Sequence, residues 1–355
     1  MAHSMTSTFH DDHAPIPFST ALVLAVEDHT PPRDLKNRIN KSTRGLKRRH
    51  FDKDLKHSCD HRVNVGGLCF VCGYQLSSNS STMTNYADEM IPLKYVLDDF
   101  SLTKKEFFLF RCTNYRTNLI EKKKLSLILD LDNTLIHTIS FDDFLKEDHT
   151  RDSKSLSEKG IVTFKKRKIL AKIRPFVTYF LEEVSKLFEL YIYTLGSQSY
   201  ANAFANMFDR DEALFDWRVI SRDDCTTKGE KNLDVVLGGE EKAVVIVDDK
   251  ESVWPKHKDN VIQIKPYYYW QNDKKKTEST EDSINYVNGD DVELLIMLLT
   301  LKNLHRSFFD CERIYIHEND VRHEIKCARE YYLKPNHVIS KFFDIQTVEN
   351  QGMKK

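Results

Sequence analysis

From Leu125 onward, apolar residues come in short runs separated by polar turns, and the runs alternate with stretches of helical period. Leu125-Ser126-Leu127-Ile128-Leu129, Leu190-Tyr191-Ile192-Tyr193 and Ala243-Val244-Val245-Ile246-Val247 are almost uncharged, as strands buried on both faces are. Another strand is predicted near Trp217–Ile220. Between these runs the spacing predicts helices. One opens at Pro175, because proline is favoured at the first helical position, with Phe176, Tyr179, Phe180, Val184 and Leu187 as its apolar face. A second runs through Tyr200, Ala203, Phe204 and Met207, and a loop with a short helix falls around Lys231–Val236. Leu135–Ile139, Ile161–Phe164 and Ile169–Ile173 read as β segments around a polar loop, a flap over one end of the sheet. Before the first strand, Thr103 and Glu106 fit a capping box ahead of Phe107-Phe108-Leu109-Phe110. After the last strand, Val292–Phe309 and Val321–Leu333 predict helices that pad one side of the sheet. Strands and helices in alternation predict an α/β fold with a parallel sheet, helices on both faces and a β flap.

The organisation follows from these patterns. Residues 1–56 form a polar tail with a basic end, expected to be disordered; 57–76 hold a Cys/His module; 94–270 carry the α/β domain; 284–340 form a helical extension. Ser77–Thr84 is a polar linker. The basic stretch Arg33–Lys56, with Lys47-Arg48-Arg49-His50, reads either as a nuclear localisation signal or as a solvated tail. The net charge of −1 argues against direct nucleic-acid binding by the whole molecule. No apolar stretch is long enough to span a membrane, and Ala21–Val26 lacks the basic flank of a secretory signal. Seven cysteines without such a signal point to a reducing, intracellular setting.

The chemistry concentrates at the predicted strand ends, where ligands bind in open α/β sheets. Asp130 and Asp132 follow the first strand, in Leu129-Asp130-Leu131-Asp132-Asn133-Thr134. Two carboxylates so close at a buried strand end raise each other's pKa, an arrangement kept where a cation or a reaction uses it. Phosphoryl transfer needs a nucleophile, an acid for the leaving group, and positive charge around the phosphoryl oxygens. Asp130 is the expected nucleophile and Asp132 the expected general acid and base, with Thr134 fixing the loop. Asp248 and Asp249 end the last strand. Together with Asp130 and the backbone carbonyl of Asp132 they supply the hard oxygens that Mg²⁺ or another divalent ion such as Mn²⁺ takes. Thr194 offers a hydroxyl to phosphate, and Lys231 is the expected phosphate-binding lysine, with Lys228 its local competitor. Response-regulator receivers also use aspartates, a threonine and a lysine, but there the acidic pair precedes the phospho-accepting aspartate. In the N-terminal module, Cys59, His61, Cys69 and Cys72 are candidate zinc ligands, or else unligated thiols and imidazole. Trp254-Pro255 and Tyr267-Tyr268-Tyr269-Trp270 read either as core packing or as a groove for an extended, proline-containing peptide.

Taken in order, these motifs resemble the haloacid dehalogenase superfamily and, within it, the FCP-type phosphatases of the RNA polymerase II C-terminal domain. The resemblance runs from about Lys94 to Phe309. It rests on Leu125–Thr138, Lys172-Ile173-Arg174-Pro175, Tyr193-Thr194-Leu195-Gly196-Ser197, Arg218–Asp223, Lys231-Asn232-Leu233 and Val245–Trp254. It implies a Rossmann-like haloacid-dehalogenase fold and a Mg²⁺-dependent protein serine/threonine phosphatase with an aspartyl-phosphate intermediate. It also implies a phosphate-contacting role for Arg222. The implied substrate is the phosphorylated polymerase C-terminal repeat, with general transcription factors as further partners and the nucleus as location. FCP-type proteins often carry a similar Cys-x-His…Cys-x-x-Cys segment. Too little chain follows Phe309 for the C-terminal BRCT domain of larger FCP-type enzymes, so a short plant-type form is expected. The alternatives are a phosphatase of another nuclear phosphoprotein and a transcription-associated binding module without turnover.

Overall fold

The structure is a computed structural model that describes residues 61–69, 74–75, 90–147, 160–211, 213–270, 291–310 and 319–332. The N-terminal tail, Cys59 and Cys72 lie outside the described residues.

Four short strands come first: β1 (Val63–Val65), β2 (Leu68–Cys69), β3 (Met90–Pro92) and β4 (Phe100–Thr103). They form an antiparallel sheet of order β2-β1-β4-β3. Runs of two to four residues are too short for a hydrophobic period to register, so the sequence pattern does not reveal this sheet. Helix α1 (Lys104–Arg116) follows, with the Thr103 hydroxyl accepting from the Glu106 amide at 3.3 Å. The second arm of the expected capping box is replaced, because the Glu106 carboxylate turns towards Arg62, 3.8 Å away.

The central strand β5 (Leu125–Leu129) is buried at every residue. Its one polar side chain, Ser126, donates to the Gly238 carbonyl at 3.0 Å, which removes the cost of burying it. Then come β6 (Ile136–Ser140), α2 (Phe141–Glu147), β7 (Ile161–Phe164) and β8 (Ile169–Ile173). The three strands make the expected flap, an antiparallel sheet of order β6-β8-β7. Its underside has a small core of Ile139, Phe144, Ile161, Leu170 and Trp270.

Helix α3 (Val177–Ser185) begins two residues later than expected. Phe176 adopts φ 67°, so Pro175 lies in the turn before the helix and not at its first position. The later start changes which face packs. Val177, Phe180, Leu181 and Val184 are buried, whereas Phe176 and Tyr179, expected inside, are 43% and 47% exposed.

The remaining elements are β9 (Phe188–Tyr193), α4 (Gln198–Phe208), β10 (Val219–Ile220), β11 (Val244–Asp248), β12 (Val261–Gln263), α5 (Glu293–Asp310) and α6 (Val321–Tyr332). A parallel five-stranded sheet forms in the order β10-β9-β5-β11-β12, with β5 at its centre. The edge strand β12 has only three residues, one of them Gln263, and escapes the pattern. Alternate side chains of this sheet enter separate cores. Leu127, Leu129, Val245 and Val247 pack with α3, α4, α5 and α6. Ile128, Tyr191, Tyr193 and Ile246 pack with Phe107 and Phe110 of α1 and with Phe100 and Leu102 of β4. The sheet therefore carries helices on both faces, as in the expected haloacid-dehalogenase-like α/β fold, and the antiparallel sheet shares one face with α1.

Candidate functional site

Because the five strands are parallel, Asp130, Thr194, Ser221 and Asp248 emerge at one edge of the sheet. The loop after β5 is tight. Asn133 takes φ 60°, a left-handed conformation that asparagine tolerates, and its amide donates to the Ile136 carbonyl at 2.7 Å. The Asp130 amide donates to the Val247 carbonyl at 3.1 Å, which sets Asp130 beside the end of β11.

The structure brings together Asp130, Asp248, Asp249 and Lys231. Oxygens of the three carboxylates lie within 4.8 Å of one another. Lys231 Nζ donates to Asp130 Oδ1 at 2.5 Å and to Asp248 Oδ2 at 2.6 Å, and it is almost fully buried. The same Asp248 oxygen accepts from the Trp254 indole at 2.9 Å, and its Oδ1 accepts from the Lys250 amide at 2.8 Å. Lys228, the competitor, sits exposed on the preceding turn. Thr134 is fully buried, and its hydroxyl accepts from the Asp249 amide at 3.2 Å, tying the β5 loop to the β11 loop.

Asp132 is half-buried and its Oδ1 accepts from the Tyr200 hydroxyl at 2.5 Å and from Thr138 at 3.4 Å. Thr194 is buried at the end of β9, where its hydroxyl accepts from the Gly196 amide at 3.0 Å. Arg222 stands apart. Its backbone amide donates to the Gly196 carbonyl at 3.1 Å, but its side chain is 62% exposed, with Asp223 at 3.9 Å.

The electrostatics of the cluster are unbalanced. Burial pushes the Asp130 carboxyl well up; Lys231 pulls it down, and Asp248 and Asp132 push it up again. Burial also works against the Lys231 charge, but Asp130 and Asp248 together outweigh it and hold the ammonium above its usual pKa. Both partners of this ion pair are thus shifted upward. The proton stays on lysine, which answers two carboxylates at once, and the Asp130 shift reflects burial first and crowding by Asp248 and Asp132 second. Burial raises Asp132 against its hydrogen bond from Tyr200, and burial with Asp248 raises Asp249 to about 6. One ammonium among four carboxylates leaves a surplus of negative charge in low dielectric. Hard oxygen donors with surplus negative charge fit a divalent cation such as Mg²⁺.

Three site-adjacent residues escape the sequence reading. Trp254 is wholly buried, as the core-packing alternative has it, and its indole also orients Asp248, a role the sequence does not show. The sequence pattern gives Tyr200 only a place on a helix face. Arg174 was noted only within a motif, yet it donates to the Thr134 carbonyl at 3.0 Å and to Asp291 at 3.1 Å. No spacing announces these roles, since the contacts to Asp132 and Asp291 span 68 and 117 positions. Tyr267 and Trp270 are likewise buried, and the Tyr269 amide donates to His137 Nδ1 at 2.8 Å, so this aromatic cluster packs beneath the flap. In the N-terminal module, His61 stacks on Tyr74 and the buried Cys69 ends β2, while Cys59 and Cys72 lie outside the described residues.

Comparison with known proteins places these features in a family. The profile of the NLI interacting factor-like phosphatases matches residues 125–311, more than half of the chain. RNA polymerase II C-terminal domain phosphatase-like 4 of Arabidopsis thaliana is 35% identical over 82% of this chain and 67% of its own length. An RNA polymerase II C-terminal domain phosphatase of Schizosaccharomyces pombe is 31% identical over 61% of this chain and 31% of its own length. A solved structure of Fcp1, described as an essential RNA polymerase II CTD phosphatase, overlays 60% of this chain and 72% of that one, at 24% identity and a TM-score of 0.48. The chain belongs to the NLI interacting factor-like phosphatase family and is a phosphoprotein phosphatase similar to the RNA polymerase II C-terminal-domain phosphatases.

Proposed function

We propose that this chain is a Mg²⁺-dependent protein serine/threonine phosphatase acting on the phosphorylated C-terminal repeat of RNA polymerase II, through an aspartyl-phosphate on Asp130. The observation that carries this reading is the Lys231 ammonium held between Asp130 and Asp248 on adjacent strand ends, with Asp249 beside them. The substrate class is supported by the names of the relatives.

The geometry supports the following roles. Asp130 attacks phosphorus as the bond to the seryl or threonyl oxygen breaks, and needs no base because it reacts as a carboxylate. Asp132, half-buried with a raised pKa, gives the leaving oxygen a proton and later takes one from the water that hydrolyses the aspartyl-phosphate. Lys231 neutralises charge at the phosphoryl oxygens from its place against the nucleophile. Thr194, at the neighbouring strand end, offers a hydroxyl to phosphate, and the exposed Arg222 is given a phosphate-contacting role by the family resemblance alone. Asp130, Asp248 and Asp249, with the Asp132 carbonyl, would hold the cation. Bound there, Mg²⁺ (or Mn²⁺) polarises phosphoryl oxygens and offsets the crowded carboxylates. A structural zinc on Cys59, His61, Cys69 and Cys72, general transcription factors as partners, and a nuclear location belong to the same reading.

The test is hydrolysis of an aryl phosphate and of a phosphorylated Ser-Pro repeat peptide by the purified chain with Mg²⁺. Activity lost on chelation and in Asp130→Asn, with the repeat peptide preferred over unrelated phosphopeptides, is the expected result. Full activity in Asp130→Asn would remove the nucleophile, and indifference to the peptide would remove the substrate.

A further inference from the structure

Tyr200 has no part in the chemistry assigned above, yet its hydroxyl reaches from α4 to Asp132. Its position is tightly specified. The Tyr200 amide donates to Ser197, which caps α4. The ring meets Phe204 edge-on at 4.9 Å between centroids, and Phe204 in turn meets Phe164 of the flap at 4.8 Å. Gly196 leaves the space the ring occupies: a Cβ there would stand 2.6 Å from Tyr200 Cδ1. Gly196 does not take a left-handed φ, so glycine is needed here for room and not for backbone freedom. The Tyr200 hydroxyl and Thr138 both donate to Oδ1 of Asp132. Two donors on Oδ1 leave Oδ2 as the oxygen free to carry a proton when the carboxyl holds one.

We infer that Tyr200 is a positioning residue for the leaving-group step: it holds the Asp132 carboxyl in one orientation with Oδ2 as the proton-carrying atom, and Gly196 seats its ring. The inference rests on the reading of Asp132 as general acid. As the bond from Asp130 to phosphorus forms, the bond to the leaving oxygen breaks, and the Oδ2 proton passes to that oxygen. A seryl oxygen leaves poorly as an alkoxide and depends on that proton, whereas a dinitrophenolate leaves without it. Loss of the hydroxyl must therefore weaken the enzyme more against the seryl ester than against the aryl ester. A residue that merely supported the fold would weaken it against both alike.

The experiment compares kcat/KM, which covers only the steps through release of the first product, for a phosphoseryl repeat peptide and for 2,4-dinitrophenyl phosphate, both with Mg²⁺. Tyr200→Phe keeps the ring and is expected to lower the peptide value by about ten- to a hundredfold, a part of what general acid catalysis supplies. The loss on the aryl ester should be about tenfold smaller or less. Gly196→Ala, which displaces the ring, should show the same substrate dependence, and the double variant should be no worse on the peptide than Tyr200→Phe. Equal losses on both substrates, or none on the peptide, would overturn the inference while leaving the phosphatase reading intact. A native chain inactive on both substrates would overturn that reading, and the inference with it.

Discussion

Two buried charge clusters flank the loop after β5, and they are built differently. Arg174 is paired with Asp291 at 3.1 Å and donates to the carbonyls of Thr134 and Lys265, each at 3.0 Å. Asp291 in turn accepts from the Glu293 amide at 2.9 Å. One cation meets one anion, and the remaining donors find backbone oxygens. At the other cluster, Lys231 faces Asp130 and Asp248 directly, with Asp249 and Asp132 close enough to add to the crowding. The first is electrostatically closed and joins the β5 loop to the segments before α5 and after β12. The second is left short of positive charge, which a fold gains nothing by maintaining. The contrast separates scaffolding from chemistry: a balanced buried pair holds structure, and the unbalanced one is chemically suited to a divalent cation.

The sharpest way to break the comparison is to neutralise one member of each cluster. Asp130→Asn should lower kcat by on the order of 10³-fold or more, as loss of a nucleophile does. Its stability without divalent cation should be equal to or above that of the native chain, because burial and like charges already disfavour the ionised carboxylate. Arg174→Met should do the reverse. It strands Asp291 and two carbonyls, and equilibrium urea unfolding should show a loss of about 3–5 kcal/mol. If Asp130→Asn proved the more destabilising of the two, the distinction would fail.

Mg²⁺ should raise the melting temperature of the native chain, by the equivalent of about 2.7 kcal/mol at a hundred times its Kd. Asp249→Asn should lose most of that rise and Arg174→Met should keep it, as measured by calorimetry with and without chelator. The smallest expected effect is a pH dependence in metal-free protein. Asp249 is raised from 3.8 to about 6 in the folded state, so its contribution to stability is fully present below pH 3.8 and lost as pH rises through about 6. The stability difference between native and Asp249→Asn proteins should shift towards Asp249→Asn across that window. A difference flat with pH would mean that neither burial nor Asp248 disfavours the Asp249 charge.

Legibility in the sequence followed the range of the forces involved. Buried parallel strands need uninterrupted apolar runs, so β5, β9 and β11 announced themselves, as did the flap strands and the long α5. The short strands β1 to β4 and β12 exist only through their partners and carry no period of their own. Helix α3 was recognised, but its start was not. Proline at 175 pointed one way, while the left-handed Phe176 turned the helix so that Phe176 and Tyr179 face solvent. Among candidate site residues, the aspartates stand out by their places at strand ends, and Lys231 by the Lys231-Asn232-Leu233 motif in a loop. Arg222, named from resemblance, lies outside the buried contacts.

The chain's own pattern determined the strand sequence, the parallel sheet that follows from it, and the acidic residues at its ends, because each depends on neighbours a few positions apart. Only the tertiary structure decided that Lys231 and not Lys228 lies between Asp130 and Asp248, that Trp254 grips Asp248, and that Tyr200 reaches Asp132. Those contacts join residues from 6 to 101 positions apart. Their partners are chosen by the packing of helices and loops against the sheet, which no local spacing encodes.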